Sequence, residues 1–161
     1  MARIIKFGIG AVGIAATGLA LVAAPAQAAA PADKAAVASP ADCVGGANGF
    51  VDIPDTLRGT VQRRVDLSAR VAVTLESGTV AGRQRGWGRI GGINGGVLEA
   101  NNKVWMDVSQ DGGRTWLQCG PFGGSTSGPL TTPAAYTTGD ANRKFRACGT
   151  LAVEIKCTGW W

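Results

Sequence analysis

Histidine is absent from all 161 residues, and so is any Cys-x-x-Cys pair. The first absence removes the commonest general base at neutral pH. Together they remove the ligand sets from which zinc sites are built. Acidic residues number only 11, and no two stand at a spacing that suggests a shared hydrolytic cleft. Strong charge is lacking too, because 16 basic residues against those 11 leave an excess too mild for a nucleic-acid footprint. An enzyme, a metal site, a cofactor and a nucleic-acid partner are therefore not expected. No convincing helical periodicity occurs beyond the first 28 residues.

What is present starts with Arg3 and Lys6, an apolar run over 7–24, and the small-x-small ending Ala26-Gln27-Ala28. This reads as an export signal cleaved after Ala28. The alternative is a membrane anchor, but the Gly and Ala content makes the run weakly hydrophobic for a segment of roughly 20 residues. Cleavage removes 28 of the 161 residues and two of the 16 basic groups, leaving 133 residues at a formal +3. That is one domain, extracellular and without a membrane segment. Residues 29–42 are Ala- and Pro-rich and read as a flexible leader, or as a segment that adds a strand to a partner's sheet edge. The domain proper is assigned to 43–161.

The four cysteines, Cys43, Cys119, Cys148 and Cys157, all follow the signal, where an oxidising exterior pairs them. Three pairings are open, and the favoured one joins Cys148 to Cys157 across a terminal hairpin and Cys43 to Cys119.

Period-two alternation predicts strands over 65–75 and 103–109. Further strands are expected at 57–62, 84–90, 115–119, 144–149 and 152–157, separated by Gly-, Pro- and Asn-containing turns. The expected fold is all-β, a small antiparallel sandwich or small barrel with two disulfides. Gly-rich stretches at 91–96 and 120–128 are expected as surface loops. Neither has the Gly-Lys-Ser/Thr ending or following helix of a phosphate-cradling loop.

The run 109–116, SQDGGRTW, matches the Ser-x-Asp-x-Gly-x-Thr-Trp pattern and resembles the Asp-box of sialidases and other secreted carbohydrate-active proteins. The resemblance implies a structural role: Ser109, Asp111, Gly113, Thr115 and Trp116 build a hairpin turn, with Asp111 accepting turn amides and Trp116 packing beneath. It does not imply sialidase activity, since the motif occurs once in a chain too short for a propeller. A broader likeness covers WGRI (87–90), VWMD (104–107), RACG (146–149) and CTGWW (157–161). It is similar to small secreted modules of Streptomyces-like actinobacteria. A looser resemblance in size, signal and cysteines is to the adaptor subunit of secreted umbrella-shaped antibacterial toxin particles, which implies a lectin or toxin subunit as partner.

Arg83, Arg85, Trp87 and Arg89 alternate, so a strand would set them on one face, a candidate binding face to which Trp105 is added. The competing reading buries Trp87 and leaves the arginines to shield a sheet edge. Of Trp160 and Trp161, at least one is expected to be buried. The function expected is a non-catalytic secreted binding or adaptor module that engages another extracellular protein through an edge strand, loops or the leader. Polysaccharide binding through Trp87, Trp105 or Trp160 is the alternative. A protease inhibitor exposing the 120–133 loop is a third.

Overall fold

Alternating apolar residues face inward from two antiparallel sheets. The computed structural model describes residues 39–124 and 128–161. The expected signal and residues 29–38 of the leader lie outside the described residues. The first sheet comprises β1 (Thr60–Asp66), β2 (Val71–Val80) and β3 (Arg83–Gly92), and the far edge of β3 carries the short β6 (Leu130–Thr131) and β7 (Ala135–Tyr136). The second is ordered β5 (Leu117–Gly123), β4 (Lys103–Ser109), β8 (Lys144–Leu151) and β9 (Glu154–Cys157). Val71, Val73, Leu75 and Ile90 from one sheet meet Val104, Met106, Val108, Phe145 and Ala147 from the other. The fold is a small β-sandwich.

Cys43–Cys119 and Cys148–Cys157 are the disulfides formed. Cys148 and Cys157 are register partners on β8 and β9, so this bridge staples the last hairpin. Cys43 ties the chain entering the domain to β5. That entry is more ordered than a flexible leader. Ser39 caps a 3-10 turn over Pro40–Asp42 and makes a parallel bridge to Cys119, so the domain includes at least Ser39–Asp42. A second, irregular 3-10 turn spans Val44–Gly49.

Two expectations about strand bounds need correction. The alternation over 65–75 is not one strand: β1 stops at Asp66, Ser68 Oγ accepts from the Arg70 and Val71 amides, and β2 runs back. The stretch expected as a loop at 120–128 begins as strand, because β5 continues to Gly123. This continuation, with β6, shortens the loop available to an inhibitor.

The outer face of the first sheet is not open. Phe50–Gly59 runs across it as a strap. Gly59 donates its amide to Glu76 Oε2 (2.9 Å), Asp55 Oδ1 accepts from the Thr131 amide (2.7 Å), and Val51 bridges Ala134. Gly59 lies so close to Trp87 that a Cβ there would sit 2.6 Å from the indole.

Candidate functional site

The SQDGGRTW turn joins β4 to β5. Ser109 Oγ accepts from the amides of Asp111 (3.2 Å) and Gly113 (2.8 Å) and donates to Asp111 Oδ1 (2.8 Å). Asp111 also accepts from the amides of Arg114 (3.0 Å) and Thr115 (2.9 Å) and from Thr115 Oγ1 (2.7 Å). These donors, the Thr115 amide foremost, hold its carboxyl well below the usual carboxylate range. Gly113 takes a φ of 97°, which a side chain would resist, and Trp160 packs so closely that a Cβ would meet its indole at 3.0 Å.

Trp116 does not tuck beneath the hairpin. It is 44% exposed on the outer face of the second sheet. Its ring tilts against Trp160 at a centroid separation of 6.0 Å, and the Arg146 guanidinium packs on both rings, 4.7 Å from Trp116 and 4.6 Å from Trp160. Arg146 is held from behind, where its Nε donates to Oδ2 of its register partner Asp107 at 2.8 Å. Asp107 is 1% exposed and its Oδ1 has no hydrogen-bond partner among the described residues. Burial pushes its pKa up, and the bond and charge of Arg146 oppose the shift.

Two clefts flank this cluster. One, of about 410 Å³, sets Asn48, Gln110 and Thr115 beside Trp116. The other, of about 330 Å³, is bordered by Trp160, Trp161, Arg63, Asp140 and Arg143. Trp160 reaches this position because residues 158–161 return along β8, with Trp161 and Phe145 exchanging both backbone hydrogen bonds. Trp161 consequently faces inward, its ring tilted against Phe145 at a centroid separation of 6.0 Å. Both terminal tryptophans are half-buried, so neither is fully enclosed as expected.

The residues named as a candidate binding face are placed differently. Trp87 is 1% exposed, and Arg85 and Arg89 are also buried, because the strap covers them. Only Arg83 is open, its guanidinium 5.5 Å from the Tyr136 ring centroid. Trp105 is buried beside Cys148, on the same outer face as Asp107 but not at its surface. Among the described residues no group of three His, Cys, Asp or Glu side chains could hold a metal ion. No helix in them is long and apolar enough to cross a membrane.

Sequence reasoning missed Arg146 as the group that joins the Asp-box-like turn to the chain end. Asp107 and Arg146 each carried the only available signal, a charged residue amid an apolar alternation. Comparison with known proteins finds no matching family model, no matching curated protein and no matching solved structure.

Proposed function

We propose that the chain is a non-catalytic, secreted binding module that docks another extracellular protein on the outer face of its second sheet, at Trp116, Arg146 and Trp160. The observation that carries this reading is that Trp116 is exposed yet held in place. The Asp111 turn fixes its backbone and Arg146 fixes its ring. Pre-organised aromatic and arginine side chains of this kind lose little entropy on binding and dominate protein interfaces. The export pattern at 1–28 and the two disulfides support an extracellular setting. A multi-subunit secreted assembly, such as the toxin particles whose adaptor the chain resembles in size and cysteines, is the most concrete version.

One observation favours a saccharide instead. Asn48, Gln110 and Thr115 stand beside Trp116 in the larger cleft, and an aromatic face with a few polar side chains also suits a sugar ring. A retention assay separates the two. The purified chain is immobilised, exposed to the secreted proteins of its producer and, separately, to insoluble polysaccharides. A discrete protein held by the wild type and bound at least about tenfold more weakly by Trp116→Ala, with unchanged circular dichroism, is the expected result. Retention on polysaccharide alone, lost in the same variant, transfers the site to the saccharide reading. Protein retention indifferent to Trp116→Ala and Arg146→Ala sinks the proposed face.

A further inference from the structure

Arg85 and Arg89 lie on the same covered face of β3, two residues to either side of Trp87; the buried Nε of each lacks a hydrogen-bond partner among the described residues, and they differ in what holds the rest of the guanidinium. The Arg85 Nη1 donates to the carbonyls of Gly49 (2.9 Å) and Ala134 (3.2 Å). Arg89 is 6% exposed, its shielded Nε has no hydrogen-bond partner, and it forms no ion pair among the described residues. Its guanidinium lies over Gly91, where a Cβ would come within 2.9 Å of Nη1. A buried charge left this way is costly unless an opposite charge completes it.

The two carboxylates near Arg89 make their hydrogen bonds to other groups and no ion pair with it. Glu76 accepts from Thr74 Oγ1 and the Gly59 amide, each at 2.9 Å, and Asp55 accepts from the Thr131 amide and hydroxyl at 2.7 and 3.0 Å. Burial foremost, and then a second cation brought by the strap, Arg58, disfavour the charge on Arg89, and Glu76 and Asp55 offset them only in part. Arg58 and Arg89 line a cleft of about 170 Å³ whose far wall is Gly92, Gly96, Val97 and Leu98. That is room for one small group, in a loop packed tightly enough that a Cβ at Gly92 would strike the Gly96 carbonyl and one at Gly96 the Arg70 carbonyl. Two guanidinium groups converging on a glycine-rich loop match the fork geometry by which arginine takes up carboxylate, sulfate and phosphate oxygens.

We propose that this cleft is an oxyanion site, in which Arg58 and Arg89 hold a phosphate, sulfate or carboxylate group against the 92–98 loop. It is separate from the Trp116 face and stands whether or not that face binds a partner. An anion there relieves the repulsion between the two arginines, so it stabilises the folded chain by mass action.

The test is thermal unfolding and amide NMR of the purified chain titrated with sodium phosphate, sulfate, acetate or glycerol phosphate, each against sodium chloride at equal ionic strength. A saturable rise in Tm is expected for at least one oxyanion, with amide shifts confined to 92–98 and the Arg89 Nε–H. Arg58→Gln, at an exposed position, should raise the half-saturating concentration at least tenfold while leaving the spectrum in chloride unchanged. Arg64→Gln, away from the cleft, should not. Tighter binding of glycerol phosphate than of inorganic phosphate marks a substituent on a larger ligand, and equal binding marks the free ion; both uphold the site. No saturable effect over chloride, shifts scattered across the basic surface, or an Arg58→Gln variant that binds as the wild type does would overturn it.

Discussion

One serine and one aspartate organise the turn on which the proposed face depends. Ser109 and Asp111 between them occupy the amides of Asp111, Gly113, Arg114 and Thr115. Because the folded-state pKa of Asp111 is depressed, its contribution is fully present above the unfolded value of about 3.9 and is lost as pH falls below it. Hydrogen exchange of the Thr115 amide should therefore be equally protected from pH 7 down to about 4 after correction for intrinsic rates, then lose protection on further acidification. In Asp111→Asn the protection should be weaker and flat over that acid range. Protection in the wild type that does not change below pH 4 would show that the carboxylate is not what holds the turn. This network was legible in the sequence, since every one of its bonds is local. Burial of Trp87, the reading set against a binding face, holds, but the exposure of Trp116 was not legible. Trp87 sits mid-strand in β3 and Trp116 just ahead of β5, and what covers Trp87 is a strap drawn from residues 50–59, remote from it in sequence.

At the scale of elements, the merged reading of 65–75 as one strand has a geometric cause. β1 and β2 pair Val65 with Val73 and Asp66 with Ala72, so partner numbers sum to an even value and odd residues point inward on both strands. The alternation consequently passes through the turn at 67–70 without a phase break, and no Gly, Pro or Asn marks it. The β8–β9 hairpin was legible because its cysteines are register partners. β6 and β7, two residues each, carry no periodicity to read. The strap has a sharper signature in the structure than in the sequence. Gly59 sits where a Cβ would be 2.5 Å from the Ser77 carbonyl oxygen and 2.6 Å from the Trp87 indole. Gly59→Ala should thus lift the strap and cost about 1–3 kcal/mol by overpacking. Urea unfolding checks the cost, and a red-shifted native fluorescence checks that Trp87 is uncovered. Gly139→Ala, where nothing lies within 4 Å, is the control and should change stability by no more than about 0.5 kcal/mol.

At the scale of the whole molecule, the two disulfides do unequal jobs. Cys148–Cys157 closes nine residues within one hairpin, whereas Cys43–Cys119 closes 76 and anchors the start of the segment that continues into the strap. Loop-closure entropy alone assigns about 2.6 kcal/mol to the first and about 4.5 kcal/mol to the second. The long-range bridge has a further consequence, since without it residues 39–50 are left with the Ser39 bridge to β5, the Arg85 hydrogen bond to the Gly49 carbonyl and the packing of Phe50 in the core. Both pairs being replaced by serine in separate variants, the Cys43/Cys119 variant should unfold at the lower urea concentration. It should also expose the covered face of the first sheet, shifting tryptophan emission to the red before global unfolding, whereas the Cys148/Cys157 variant should lose stability without that early shift. Equal midpoints with no early change at Trp87 would mean that the strap is held by its own contacts, the Gly59–Glu76 and Asp55–Thr131 hydrogen bonds, and not by its covalent anchor. The distinction reaches the oxyanion cleft, because Arg58 belongs to the strap and Arg89 to the sheet. If the covalent anchor sets the position of the strap, removing Cys43–Cys119 should weaken oxyanion binding as well as stability, and removing Cys148–Cys157 should leave it intact.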